Sequence, residues 1–293
     1  MPSKSLNLFL IDGAATGRIK CTMQNWTGVA YKIPRTELEN CQSKGGDIVI
    51  HLKQSGIYFL LGYDDKTCLP TIYVGQASIR KNGEGILLRL LEHKNNDKEN
   101  YYSYWTETIA FTTTNDSFGP TEISYLENRF TNLAKEANRF EVNNGNEPNI
   151  GHVTEEKKSE LEEFIDYAKL IMGVLGCKAF EPLVKKSTQK DQLNDKKAIF
   201  DCQNKSYKAK GMLTNEGFVL LKGSEISSVL SPSSKGTATE KKRKLNASNV
   251  LDGKTTIDIL FNSPSAAASF VTGSPTSGNY LWKTKDGKSP KDF

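Results

Sequence analysis

Five side chains stand out by type and spacing: Tyr58 closes Gly56-Ile57-Tyr58, Tyr73 opens Tyr73-Val74-Gly75, Arg89 precedes His93 by four positions, and Glu127 lies in Tyr125-Leu126-Glu127-Asn128. Each has a chemical capacity. A guanidinium is a planar, permanently charged fork for oxyanions, a carboxylate suits a hard divalent cation, and phenol and imidazole can hold or pass a proton. The cysteine pattern argues against a disulfide framework and a zinc ribbon. The five cysteines form no C-x-x-C pair, and only His51, His93 and His152 can supply imidazole. Any divalent ion must therefore be held mainly by oxygen ligands. Gly83-Glu84-Gly85 makes no phosphate-binding loop, since no Lys-Ser/Thr follows it. Taken singly, each residue also has an ordinary role: strand tyrosines pack, helix arginines face solvent, and Glu127 can be a surface carboxylate like Glu122 and Glu136.

The elements that must position these groups follow from hydrophobic periodicity. Gly56 to Leu61 and Thr71 to Gly75 are β-branched and aromatic runs around a polar loop ending in Pro70, spaced as an antiparallel hairpin. From Gly85 the period becomes helical. Ile86, Leu87, Leu90 and Leu91 define the apolar arc, which predicts that Arg89 and His93 face outward together. Trp105 to Thr114 reads as a strand. Gly119-Pro120 opens a helix whose stripe is Ile123, Leu126, Phe130, Leu133, Ala134 and Ala137, with Glu127 beside it. Thr154-Glu155-Glu156 starts a third helix carrying Leu161, Phe164, Ile165, Ala168, Met172 and Leu175, ended by Gly176. Upstream, Leu6 to Ile11 and Ile48 to Leu52 read as strands of a lead-in layer, with turn material at Asn25-Trp26-Thr27-Gly28 between them.

In this order and spacing the set resembles the GIY-YIG nuclease family over roughly residues 55–150, with Val74 conservatively replacing the second motif's isoleucine. The flanks, including Leu8 to Gly13, Asn25 to Gly28 and Trp105, resemble those of bacterial stand-alone members. The tail resembles a small domain of unknown function that often follows such modules, through Ser263-Pro264-Ser265-Ala266-Ala267-Ala268 and Trp282-Lys283. The resemblance implies an α/β (α+β) fold on a small antiparallel sheet flanked by helices, and a small carboxy-terminal α+β domain. It also implies a Mg²⁺-dependent (or Mn²⁺-dependent) endonuclease hydrolysing phosphodiester bonds of nucleic acid, with DNA the expected polymer. Within that reading Arg89 stabilises the charge of the pentacovalent transition state. Glu127 attaches the metal ion, whose other positions go to water and substrate phosphate. Tyr58 is the preferred general base and Tyr73 positions water or phosphate, although the two assignments are exchangeable. A phenol with an unperturbed pKa near ~10 needs tuning or a relay, and His93 is the candidate relay. The asparagine that follows the glutamate helix in the family is assigned to Asn144, chosen from Asn143-Asn144-Gly145-Asn146.

Composition sets the outer bounds. At 293 residues and 32.6 kDa, with 37% hydrophobic and 25% charged residues and a mean hydropathy of −0.51, the chain is long enough for two globular domains. Its longest central apolar run, Ile57 to Leu61, is far short of the ~20 residues that cross a bilayer. Asn7 and Asp12-Gly13 interrupt the amino-terminal apolar run, which makes a poor signal-peptide core. Scattered cysteines point to a reducing cytoplasm, and a net charge of +5 permits a polyanion partner. The expected division is lead-in strands at 1–54, a nuclease-like domain at 55–181, a linker at 182–197 in which Lys185-Lys186 and Lys196-Lys197 bracket a stretch without apolar period, and a partner- or nucleic-acid-binding domain at 198–293. In the last, Gly217 to Gly223 reads as a buried strand. Lys241, Lys242, Arg243 and Lys244 are candidate nucleic-acid contacts and equally read as a solvated loop. Two rivals remain: a non-catalytic nucleic-acid-binding or regulatory protein on the same fold, and an RNase, since no base-reading motif is visible. A homodimer would let one site per chain cut both strands of a duplex.

Overall fold

The chain begins with an antiparallel meander of β1 (Leu6–Leu10), β2 (Ile19–Met23) and β3 (Gly28–Pro34). The computed structural model describes residues 3–43, 46–65, 67–81, 83–95, 105–145, 150, 152–184, 198–204 and 206–293. Asn25, with φ 59°, makes a turn within the expected Asn25–Gly28 turn material, and it joins β2 to β3. The strands on either side of that turn are a correction to the sequence reading. β2 buries Ile19, Cys21 and Met23 at every second position, the period of a half-covered strand. After α1 (Asn40–Ser43) comes a second correction, because the expected strand at Ile48 to Leu52 is helix α2 (Asp47–Leu52). Ile48 and Leu52, four apart, are buried while Ile50 is exposed. A strand would have put all three on one face.

β4 (Gly56–Tyr63) and β5 (Pro70–Ala77) form the expected hairpin, with Tyr58 opposite Gly75 and Leu60 opposite Tyr73. Helix α3 (Ile86–Asn95), strand β6 (Trp105–Thr113), helix α4 (Pro120–Ala137), the short β7 (Glu141–Val142) and helix α5 (Glu155–Val174) follow. The strands make one seven-stranded sheet in the order β1-β2-β3-β6-β4-β5-β7, antiparallel except for β5 with β7. β3 pairs with β6 along its whole length, so the lead-in strands widen this sheet instead of forming a layer of their own.

Alternation along β4 divides the core in two. Ile57, Phe59 and Leu61 face α4 and α5, where the Phe59 ring lies 5.9 Å from Phe111, 5.1 Å from Phe130 and 5.3 Å from Phe180. Tyr58 and Leu60 face α2 and α3 together with Tyr31, Leu52, Ile86 and Leu90. α4 is opened by Pro120 and closed by left-handed Asn138, and α5 is capped by the Thr154 hydroxyl, which accepts from Lys157 N. The Glu162 carboxylate ties the two helices, accepting from Tyr125 Oη (2.6 Å) and from Arg129 Nε (2.6 Å) and Nη2 (2.9 Å).

Contacts divide the chain into Met1–Pro182 and Leu183–Phe293. The expected linker falls mostly at 185–197, outside the described residues. The second unit contains β8 (Ile199–Cys202), β9 (Lys210–Thr214), β10 (Gly217–Leu220), α6 (Ala238–Leu245), β11 (Val250–Leu251), β12 (Lys254–Thr255), β13 (Ile259–Phe261), α7 (Pro264–Thr272), α8 (Gly278–Leu281) and β14 (Trp282–Lys283). Five strands order as β13-β10-β9-β8-β14, all antiparallel, and β11 pairs with β12. The expected strand from Gly217 stops at Leu220. α7 starts as its sequence predicts: the Ser263 hydroxyl accepts from Ala266 N and Pro264 occupies the first turn. Phe200, Phe218, Phe261, Phe270 and Trp282 fill this unit's own core, the Trp282 indole donating to Pro264 O at 3.0 Å. Both units are α+β and mainly antiparallel. Among the described residues no helix is long and apolar enough to cross a membrane.

Candidate functional site

The two glycines of the paired motifs have steric causes. A Cβ at Gly75 would come within 2.3 to 2.6 Å of the Tyr58 Cζ, Oη and Cε2 on the neighbouring strand, and one at Gly56 would strike the Phe111 carbonyl. Glycine at position 75 is thus what lets the Tyr58 phenol reach over β5 toward α3.

There it meets His93. Tyr58 Oη and His93 Nε2 share a buried hydrogen bond of 2.7 Å, and the Tyr73 ring lies 6.3 Å from Tyr58 and 5.5 Å from His93. The expected outward placement of His93 is therefore wrong. His93 is only 4% exposed because it lies seven residues, about two full turns, beyond the buried Ile86 and shares its side of α3. The buried arc centres on Ile86, Leu87, Leu90 and His93 instead of running on to Leu91. Arg89 sits at the rim of this arc, partly exposed, and its Nη1 donates to Glu92 Oε2 at 3.0 Å.

Electrostatics couple these groups. Burial pushes the Tyr58 phenol well above its ordinary value, Tyr73 adds to the rise, and the Arg89 guanidinium opposes it. Burial brings the His93 imidazole down to about 4, with Arg89 pushing the same way. At neutral pH the pair is consequently an uncharged phenol against an uncharged imidazole. In the Nδ1-protonated tautomer the phenol donates to His93 Nε2, which fits a proton relay. Arg89 is the neighbour that favours a phenolate.

Glu127 comes from the other side of the sheet, on α4, and reaches the same edge at β5. Its Oε2 accepts from Gln76 Nε2 at 2.9 Å. Burial raises this carboxyl above its ordinary range, while Gln76 and the Arg89 charge hold it down. The field of Glu127 in turn reaches Tyr58. Asn144 clamps the second motif: its Nδ2 donates to Val74 O at 2.7 Å and its Oδ1 accepts from Val74 N at 3.1 Å. It fixes the edge strand between Tyr73 and Gly75 by replacing ladder hydrogen bonds that no full strand supplies there. Asn146 lies outside the described residues.

The structure thus brings Tyr58, Tyr73, Arg89, His93, Glu127 and Asn144 to one edge of the first unit. Gln76, Glu92 and Arg80 join them unforeseen. Gln76 was signalled by strand alternation, which places it on the Val74 face toward α4, and Glu92 by its i, i+3 spacing from Arg89. Among the described residues no group of three or more His, Cys, Asp and Glu could hold a metal ion.

The basic run at 241–244 is helical, on α6, and does not present one cationic face. Arg243 turns inward, donating from Nε and Nη2 to Phe270 O at 3.0 and 2.5 Å, and the Lys242 ammonium lies 5.5 Å from the centre of the Phe261 ring. Burial lowers both of these cations. Lys244 pairs with Glu240 at 2.9 Å, and Lys241 is exposed.

Comparison with known families matches residues 200–293 to a domain of unknown function, DUF4357. The match covers the second unit, in line with the resemblance of the tail, and no nuclease family is matched in the first. No curated protein and no solved structure matches the chain.

Proposed function

We propose that the first unit is a phosphodiester hydrolase acting on nucleic acid, a Mg²⁺-dependent endonuclease of the GIY-YIG type, with DNA as the expected polymer. What supports this most is one observation: a buried Tyr58–His93 hydrogen bond beside a partly exposed Arg89, with a desolvated Glu127 across the same sheet edge. Phosphodiester cleavage needs these functions together, namely a base for water, a cation at the developing charge and an anchor for a hard metal ion. Glu127 fits such an ion. Its carboxylate is half-buried, holds one neutral amide partner and is lifted by desolvation, so a divalent cation would offset the cost of its charge. When bound, Mg²⁺ would polarise the phosphate and supply ordered water. The side chains do the rest. Tyr58 passes its own proton to His93 Nε2 as it takes one from the attacking water, Tyr73 orients the water or the phosphate, and Arg89 holds the non-bridging oxygens as charge builds. Asn144 keeps Tyr73 in register through the backbone of Val74.

The test incubates the wild type and Glu127→Gln with supercoiled plasmid, single-stranded DNA and structured RNA, with Mg²⁺ and with a chelator. Cleavage requiring both Mg²⁺ and Glu127 is expected and identifies the polymer. Cleavage by Glu127→Gln at the wild-type rate would remove the metal assignment. Nucleic-acid binding with no cleavage of any substrate would transfer the reading to a binding protein.

A further inference from the structure

Arg80 stands outside the residue set that the motifs define, yet it converges on the same place. The segment that carries it is anchored: Ile79 N donates to the buried Ser55 hydroxyl at 3.1 Å, and Arg80 N donates to Glu84 O at 2.8 Å across a turn. From there its guanidinium reaches α3 and grips Glu92 with both forks, Nη1 to Oε1 at 2.5 Å and Nη2 to Oε2 at 2.8 Å. Arg89 Nη1 donates to the same Oε2 at 3.0 Å. Two guanidiniums therefore share one carboxylate, and each raises the cost of charging the other unless an anion lies between them. The cluster is also open, with the side chains of Arg80, Arg89 and Glu92 at 45%, 40% and 29% exposure. An ion pair this exposed is weak, so exchanging its anion costs little. A carboxylate and the two non-bridging oxygens of a phosphodiester offer guanidinium forks the same two-oxygen edge.

We propose that Arg80 and Arg89 form a two-arginine phosphate clamp and that Glu92 is its placeholder, released when a backbone phosphodiester of the nucleic acid enters. Arg89 takes the phosphate nearest Tyr58 and His93, and Arg80 takes its share of charge on the side away from them. The clamp reads no sequence, since it touches only phosphate. The inference rests on the nucleic-acid reading given above, and binding measurements separate the two. The full-length chain carrying Glu127→Gln, which is expected to bind without cutting, is titrated with labelled duplex DNA, single-stranded DNA and structured RNA between about 50 and 200 mM salt. Adding Arg80→Ala should weaken binding equally for unrelated sequences and reduce the slope of log affinity against log salt by about one. Arg80→Lys, which keeps the charge, should preserve the slope. Glu92→Gln removes the competing anion and should tighten binding about 2- to 5-fold at low salt. An unchanged slope in Arg80→Ala, or weaker binding in Glu92→Gln, would make the Arg80–Glu92 pair a structural latch and overturn the clamp alone. Absence of salt-sensitive binding in the parent chain would overturn the clamp and the nucleic-acid reading together.

Discussion

Tyr58 and His93 carry opposite perturbations from one cause. Burial disfavours the charged form of each, raising the phenol and lowering the imidazole to about 4, and so the protein keeps a neutral hydrogen-bonded pair next to a permanent cation. Tyr58→Phe keeps the ring over Gly75 and removes Oη. Cleavage in the Mg²⁺ assay should fall by about 10²-fold or more, while the melting temperature records the loss of the Tyr58–His93 hydrogen bond, at about 0.5 to 1.5 kcal/mol. The imidazole also sets a pH dependence. Between about 4 and its ordinary 6.5, His93 is protonated in the unfolded chain but not in the folded one, so its contribution is fully present above 6.5 and is lost as pH falls toward 4. Chemical denaturation of wild type and His93→Gln from pH 7 to pH 4 should therefore show a steeper loss in the wild type, and parallel curves would contradict the buried neutral imidazole. Glu127 shifts the other way. Because burial raises its carboxyl, protonation competes with Mg²⁺ as pH falls, so Mg²⁺-dependent activity should decline on acidification and recover with added Mg²⁺, measurable as pH profiles of cleavage at two Mg²⁺ concentrations.

At the scale of elements, the β4–β5 hairpin and α3 act as one device. Its tolerances are set where backbone approaches side chain, at Gly75 under Tyr58 and at Gly56 against Phe111. Gly75→Ala must displace the Tyr58 ring from His93. A loss of ~1 to 3 kcal/mol of stability together with activity is expected, the size of other overpacking changes. Denaturant midpoints check it, and an unaltered midpoint with full activity would show that the ring is not held there. Asn144→Ala removes two hydrogen bonds to Val74 and should cost ~1 to 3 kcal/mol. The hairpin, β6, α4 and α5 were legible from period and caps. α2 was not, because Ile48 to Leu52 is a short apolar run in which period 2 and period 3.6 both find apolar positions, and only burial of Ile48 and Leu52 with exposure of Ile50 decides between them. β2 and β3 were hidden for a related reason: the turn at Asn25 to Gly28 is conspicuous, whereas the strand Ile19–Met23 carries Lys20 and Thr22 on its outer face.

At the scale of the whole molecule, two units each own a hydrophobic core, one around Phe59, Phe111 and Phe130 and the other around Phe218, Phe270 and Trp282. Expressed separately, residues 183–293 should unfold in a single cooperative transition seen by circular dichroism. A featureless melt would mean that this unit needs the rest of the chain. The basic run at 241–244 illustrates why charge counts along a sequence do not map a surface. Arg243 satisfies the Phe270 carbonyl and Lys242 covers Phe261, so two of four cations serve packing.

The sequence by itself determined the two glycine-tyrosine motifs, the helices that carry Arg89 and Glu127, and the cap and turn chemistry of α4, α5 and α7. These are local properties, set by side-chain period and by which residues tolerate a first turn or a left-handed end. Tertiary structure alone decided that His93 points inward, that β1 to β3 belong to the same sheet, and that Arg80 and Arg89 meet on Glu92. Each of those outcomes depends on which face a neighbour covers or on contacts between residues distant in the chain, and no single stretch of sequence contains that information.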